Sequence, residues 1–311
     1  AALRSPLPSR GSTLSAVLRE KRWAELPHAV PYAASPEPPA TPWGSVIIPA
    51  HNEASVIGRT LTALSGPLGR GDVEVIVACN GCTDNTAEVA RSYAGVRVIE
   101  LTEASKVAAL NAADGEATQW PRVYLDADIE LPEESLRATL DRLHRDHSVL
   151  CARPAFRYET QGADWLVRSY YRARTRLPQA TGSIWGAGIY ALSQRGHDRL
   201  GKFPAVTADD CYVDRLYDGR EKVALECLPV TVRTPRSAAA LLRTLRRVYR
   251  GNAELVGMAG SRTGQTLVQL MRTVTGPVSA FDALVYAGFA IAGRHSSRSG
   301  DRWERDESSR Q

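Results

Sequence analysis

Two carboxylates one residue apart, Asp126 and Asp128, interrupt the run Val123–Leu131, VYLDADIEL. Val, Tyr and Leu are the residues of a buried strand, and a bare carboxylate inside a sheet is costly unless it is paired or bound to a cation. The acids therefore belong where the strand leaves the core. On an extended backbone this spacing sends both side chains the same way. Hard oxygen ligands so arranged suit Mg²⁺ or Mn²⁺, with phosphate oxygens completing the shell. A second acidic pair, Asp209-Asp210, follows Thr207 and precedes a short helix expected over CYVDRLYDG. Helix capping accounts for acids at such an N-terminus. Two adjacent acids exceed what a cap needs, so one is a candidate general base. A cationic group completes the set: Arg243, Arg246, Arg247 and Arg250 fall at i, i+3, i+4 and i+7 of a helix predicted over 237–258. That spacing predicts one shared face, either a solvated basic surface or a grip on a diphosphate.

Cys79 and Cys82 flank an Asn-Gly turn between a predicted strand and helix. This is where a thioredoxin-like dithiol sits, yet Asn-Gly supplies a turn and no electropositive pocket. Packing around the turn is the simpler reading, and zinc would need a second ligand pair at suitable spacing. The five cysteines, an odd count without regular spacing, speak against a disulfide framework and for a reducing compartment. The net charge is +5, with 35 Arg against 4 Lys, and residues 233–262 hold seven Arg with the single acid Glu254. No helix-turn-helix or aromatic-basic module accompanies those arginines, so no nucleic-acid partner is expected. No apolar run approaches the roughly 20 residues of a membrane span. No secretory leader is read, and the chain opens without Met, so a trimmed start is expected.

The elements that must position these groups alternate. Residues 1–43 are Pro-rich and read as an extended lead-in with one short helix around Leu14–Glu25. From Ser45 the chain writes strand SVIIP, helix EASVIGRTLTAL with Glu53 in its first turn, strand VEVIVA and helix TDNTAEVARSYA. Strand VRVIE, helix SKVAALNAAD, strand RVYLD, helix EESLRATLDRLHRD and strand SVLCARP follow. Such alternation means an α/β fold with a mainly parallel sheet covered on both faces. Its halves are expected at 44–152 and 153–260, the second irregular after Gly162 with a helix over ADWLVRSYYRARTRL and a Gly-rich loop at Gly182, Gly186 and Gly188. Residues 261–311 form a C-terminal helical segment ending in a polar tail of 17 residues. Ligands of parallel sheets sit at the carboxyl ends of the strands. Pro49–Glu53, Cys79–Cys82, Lys106, and Asp126 with Asp128 all fall on that edge.

At this point the motifs resemble a known family. SVIIPAHNEASVIGRTLTAL, VIVACNGCTDNTAEVA, SKVAALNAA and VYLDADIEL resemble the GT-A core of the family 2 glycosyltransferases. TADDCYVDRLY is similar to that family's later acidic motif, and LRRVYRGN to its Arg-rich segment, with Val248 where the family has Trp. The resemblance, over roughly residues 44–255, implies a GT-A-type Rossmann-like, mainly parallel sheet flanked by helices, with an acceptor-side extension and C-terminal helices. It implies an inverting transferase that moves a sugar from a nucleotide diphosphate sugar to an acceptor hydroxyl. By the same resemblance Pro49, Ala50, His51, Glu53, Asn80 and Ala127 belong to the nucleotide-sugar pocket, with Lys106 near base or phosphates. Asp126 meets ribose or metal, and Asp128 ligates Mn²⁺ or Mg²⁺. Asp210, with Asp209 beside it, takes the acceptor proton, while Arg246, Arg247 and Arg250 close on the diphosphate. TGSIWGAGIY borders the acceptor, with Trp185 as stacking platform and Gly186 beside it. Asn80 replaces the family's acid and can still accept a base N–H through its amide oxygen, so a UDP donor is expected with GDP as competitor. A non-catalytic sugar-nucleotide binder and a CxxC redox protein are the alternatives. The acceptor is a lipid-linked, glycan or small-molecule hydroxyl, and the expected location is the cytoplasm, at or near the inner membrane face. The apolar stretch Val278–Gly293, too short and too charged at Asp282 to span a bilayer, is read as a helix packed on the domain, with interfacial membrane contact the alternative.

Overall fold

The computed structural model describes residues 29–31, 42–177, 182–254 and 263–295. The helix expected around Leu14–Glu25, the last residues of the Arg-rich helix and the polar tail lie outside them. One eight-stranded sheet runs in the order β1-β9-β6-β8-β5-β2-β3-β4. Its strands are β1 (Ala29–Pro31), β2 (Ser45–Ala50), β3 (Glu74–Asn80), β4 (Val96–Leu101), β5 (Arg122–Leu125), β6 (Cys151–Arg153), β8 (Ile189–Leu192) and β9 (Lys222–Glu226). Every pairing is parallel except those of β8, which runs against both β5 and β6. A separate two-stranded parallel sheet joins β7 (Phe156–Glu159) to β10 (Val230–Arg233).

The helices are α1 (Ile57–Gly69), α2 (Thr86–Arg91), α3 (Lys106–Glu116), α4 (Glu133–Arg145), α5 (Trp165–Thr175), α6 (Gln194–Leu200), α7 (Asp209–Leu216), α8 (Ala238–Glu254), α9 (Thr263–Arg272) and α10 (Pro277–His295). The pleat divides the sheet residues between two cores. Val46, Ile48, Val75 and Val77 pack with Leu61 and Leu64 of α1 and Leu136 and Leu140 of α4 on one face. Ile47, Ile76 and Tyr124 meet Ala109, Leu110 and Ala113 of α3 on the other. With both faces covered, β2 and β3 are hydrophobic at nearly every position, as parallel strands require. The expected sheet is thus the one observed. Glu53 departs from expectation: α1 begins at Ile57, and the Glu53 carbonyl accepts the N–H groups of Val56 and Ile57 in the turn before it.

A third core lies away from the large sheet. Val167 and Tyr170 of α5, Leu241 and Leu245 of α8, Leu270 of α9 and Tyr286 of α10 build it, with the Tyr170 and Tyr286 rings stacked 5.0 Å apart. Asp164 organises two of these helices. Its carboxylate accepts the Val167 N–H at 2.9 Å and the Ala238 N–H at 2.7 Å, at the starts of α5 and α8. The acid inside the apolar C-terminal stretch has a local explanation. Asp282 is fully buried and ion-paired to Arg172 at 2.7 Å and Arg176 at 3.0 Å, both from α5 or its C-cap, with Ser169 also donating to it. Burial raises this carboxyl, but the hydrogen bonds from Arg172 and Ser169 outweigh it and hold the group below its ordinary value.

Candidate functional site

The loops leaving β2 and β3 are stitched side chain to backbone. Asn52, held at φ +52°, accepts the N–H of Thr83 at 2.6 Å through its amide oxygen. Asp84 returns the contact by accepting the Ala54 N–H at 3.2 Å, and Thr86 accepts the Glu53 N–H at 2.7 Å. A His51 ring nitrogen is hydrogen-bonded to the Asn80 carbonyl. The Asn80 amide nitrogen donates to the Ala50 carbonyl at 2.8 Å. That bond fixes the amide and leaves its oxygen as the atom still able to accept. Gly81 sits at φ +59°, where a Cβ would come within 2.9 Å of Ala104. The turn between the cysteines therefore requires glycine. Cys79 is buried in the core, and burial, reinforced by neighbouring Cys82, pushes its thiol up to about 12. A redox dithiol needs a lowered pKa and access, so the packing reading of the pair is the one the environment favours.

Beside these loops a cleft opens at the carboxyl ends of β2 and β5, lined by Pro49, Lys106, Asp126, Asp209, Asp210 and Tyr190. Lys106 is the first residue of α3, which Ser105 caps by accepting the Ala108 N–H. Its ammonium lies 2.9 Å from Asp126 Oδ1 and 2.9 Å from Asp209 Oδ1. Burial lowers the Lys106 pKa, but the charges of Asp126, Asp209 and Asp210 outweigh it and hold the group above its ordinary value. The adjacent acids of α7 differ in surroundings. Asp209 is buried and takes the Tyr190 hydroxyl at 2.9 Å as well as Lys106. Asp210 is half-buried and accepts the Gly186 N–H at 2.9 Å. Burial, and next the charge of Asp209, push the Asp210 carboxyl up to about 6, against the lowering effect of Lys106.

The Asp126–Asp128 segment corrects an expectation. The strand ends at Leu125, and the Ile129 N–H returns to the Asp126 carbonyl at 3.2 Å, so the two acids sit on a turn instead of an extended strand. Ala127 is buried in the core beneath, its carbonyl taken by the Thr60 hydroxyl at 2.7 Å, so its side chain does not line the cleft. Gly188 stands opposite at φ +67°, where a Cβ would lie 2.7 Å from Ile129 Cγ1 and 3.2 Å from Asp126 Oδ2. The missing side chain keeps that carboxylate oxygen open. Among the described residues no three His, Cys, Asp or Glu side chains form a self-sufficient metal cluster. A cation shared with a diphosphate needs only one or two carboxylates. The hard oxygens of Asp126 and Asp128, with Asp126 Oδ2 left clear by Gly188, fit that kind of site.

The loop before β8 is held at three points. Buried Arg153 donates to the Ser183 carbonyl at 2.6 Å, Asp214 accepts the Ile184 N–H at 2.8 Å, and Asp210 accepts the Gly186 N–H. Trp185 lies under the Arg174 guanidinium, 5.1 Å from its ring centre, and Arg174 also donates to the Tyr158 hydroxyl. The expected arginine face divides in two. Arg243 and Arg247 are exposed, whereas Arg246 and Arg250 are half-buried. Gly251, one residue on, abuts Thr207 and Ala208, its would-be Cβ 3.3 and 3.2 Å from theirs. That contact sets the helix against the segment that carries Asp209 and Asp210. Tyr190, Arg174, Arg153 and Asp214 were not singled out in the sequence. The loop's glycines and Trp185 carried a signal, and it pointed to the segment without naming its partners.

Comparison with known proteins places this arrangement. Residues 45–194 match glycosyl transferase family 2. A mannosyltransferase from Pyrobaculum calidifontis, in complex with GDP-Man and Mn²⁺, is similar at 21% identity over 92% of this chain and 94% of that one, with TM-score 0.59. A glucosyl-3-phosphoglycerate synthase from Mycobacterium tuberculosis, in complex with Mn²⁺ and UDP-glucose, aligns at 18% identity over 76% and 88% of the two chains, TM-score 0.55. A mannosyl-3-phosphoglycerate synthase from Rubrobacter xylanophilus aligns at 17% identity over 70% and 75%, TM-score 0.51. At these identities the likeness establishes the GT-A fold. No curated protein sequence matches the chain.

Proposed function

We propose that the chain, whose residues 45–194 match glycosyl transferase family 2, is a glycosyltransferase that carries a sugar from UDP to an acceptor hydroxyl with inversion at the anomeric carbon. The observation that carries this reading is the asymmetry of the acidic pair. Asp209 is committed to an ion pair with Lys106 and a hydrogen bond from Tyr190, while Asp210 stands half-buried in the cleft with its carboxyl pushed up to about 6. A general base works best with a pKa near the operating pH, which selects Asp210. Asp209 positions Lys106 beside the donor phosphates.

In this reading Pro49, Ala50, His51, Glu53 and Asn80 hold the nucleoside. Asn80 Oδ1, with its Nδ2 committed to Ala50, accepts the uracil N3–H. Asp128 and Asp126 would hold Mn²⁺ or Mg²⁺, a role supported by the Mn²⁺ in two of the similar structures, and such a cation would offset charge growing on the leaving diphosphate. Arg246, Arg247 and Arg250 close on the same diphosphate. The acceptor oxygen bonds the anomeric carbon as the bond to the diphosphate oxygen breaks, and the hydroxyl proton passes to the Asp210 carboxylate. Trp185 and Gly186 border the acceptor, which is a lipid-linked, glycan or small-molecule hydroxyl met on the cytoplasmic side.

Calorimetry and a transfer assay on Asp210→Asn test the assignment. Donor binding in Mn²⁺ should persist while transfer falls about 10²-fold or more. Full activity in Asp210→Asn with a dead Asp209→Asn would exchange their roles, and tighter binding of GDP than UDP would overturn the choice of donor.

A further inference from the structure

Helices α5 and α10 turn Tyr170 and Tyr286 inward and leave large apolar side chains outside. Trp165 is 58% exposed, Phe281 44%, Val278 63% and Leu284 72%. Scattered exposed apolar residues are ordinary on a protein surface, but these are joined. The Trp165 and Phe281 rings stack 5.8 Å apart across the two helices, making one apolar surface. Val278, Phe281 and Leu284 recur every three residues along α10, on one side of it. The exposed charge on these helices has one sign. Arg168 and Arg172 follow Trp165 at i+3 and i+7 on α5 and are exposed, as are Arg272 and Arg294. Across 165–177 and 263–295 the sole acid is Asp282, fully buried and already paired.

We propose that this face rests on the surface of an anionic lipid bilayer. Apolar side chains would sink to the boundary of the acyl region while the arginines meet headgroup phosphates. No described helix is long and apolar enough to cross a membrane, and the inner side of α10 is committed to the third core, so α10 would lie along the surface. A second copy of the chain is the poorer occupant. A twofold contact sets a patch against itself and would bring Arg168 against its own copy with no free acid on these helices to pair it, since Asp282 is already held by Arg172 and Arg176. The bilayer complements both the apolar centre and the cationic rim.

This placement bears on the cleft. Arg174, which covers Trp185, lies nine residues along α5 from Trp165, about 14 Å at the helical rise. An acceptor hydroxyl carried by a lipid would therefore be delivered close to Trp185. The surface itself stands on its own residues and does not depend on the identity of the donor.

Flotation of the full chain with phosphatidylcholine vesicles, with and without phosphatidylglycerol, tests the inference. Wild type should float with the anionic vesicles in low salt and roughly tenfold less with pure phosphatidylcholine or in high salt. Trp165→Ser with Phe281→Ser, and separately Val278→Ser with Leu284→Ser, should each cut the floating fraction about tenfold, with melting temperature and UDP binding unchanged. Wild type left at the bottom of the gradient would overturn the proposal, as would variants that float like wild type. So would a dimer in sedimentation velocity that the same substitutions dissolve.

Discussion

Asp210 shows how a neighbour's charge and a shortage of water together set one group's chemistry. With its carboxyl pushed up to about 6, transfer should be half-maximal near that pH and fall about tenfold per unit below it. A pH–rate profile that stays flat between about pH 7 and pH 5 would remove Asp210 as the base. The same shift predicts stability. A carboxyl raised on folding favours the folded state below its unfolded pKa and disfavours it as pH rises through the folded value. Asp210→Asn should therefore melt above wild type at about pH 8, and the gap should close toward about pH 4. Thermal melts of both proteins across that range check the sign.

Among the elements, α5 and α8 share one carboxylate. Asp164→Ala would orphan an N–H at the start of each helix, and at about 1 kcal/mol per lost cap the cost is about 2 kcal/mol. Asp164→Asn, which keeps the acceptor oxygen, should restore about half of it. Urea unfolding that moves by less than about 0.5 kcal/mol in the Ala variant would show the two helix starts to be independent of Asp164. Much of this level was legible in advance. SVIIP, VEVIVA and RVYLD announced buried strands because both faces of a parallel sheet demand apolar residues. Less legible was the run from 156 to 233. GIYAL has the pattern of a strand in either direction, so nothing in it revealed that β8 is reversed. AVP at 29–31 is too short for a periodic signal and pairs with 224–226, far along the chain. The arginine stripe was found by spacing, but spacing does not say which residues the neighbouring Thr207–Ala208 segment would cover. The acids of the cleft were legible because strand residues that end in carboxylates need a cation. Lys106, bridging Asp126 and Asp209, was found only as a position on the same edge.

At the scale of the molecule, the third core is docked through a buried charge as well as through tyrosines. Asp282→Asn leaves Arg172 and Arg176 short of a charge partner. We expect a loss of about 2–3 kcal/mol, below the 3–5 of fully buried pairs because both arginines remain partly exposed. Asp282 is a carboxyl lowered on folding, so its stabilisation is present above the unfolded value of about 3.9 and disappears as pH falls through the folded one. Wild type and variant should therefore converge as pH falls below the ordinary carboxylate range, and denaturant titrations at neutral and at acid pH measure it. The packing of α10 also means that ending the chain at Thr275 would uncover Tyr170, Leu241 and Leu245. Point substitutions on the outer face are the sound way to probe it.

The reversal of β8 divides the site by ancestry of its loops. Strands β2, β3 and β5 reach the edge with outgoing loops, and these carry the groups assigned to the donor. β8 arrives from the other direction and delivers an incoming loop, Gly182–Gly188, to the same edge. The donor and acceptor contacts proposed above thus fall in separate stretches of the chain. The incoming loop is fastened by Arg153, Asp214 and Asp210, all outside it. Its interior can therefore be exchanged while its anchors stay, which makes it an interchangeable part. On the proposed reading, acceptor preference can diverge by drift or by grafting at this loop without disturbing the turn that carries Asp126 or the strand that ends at Asn80.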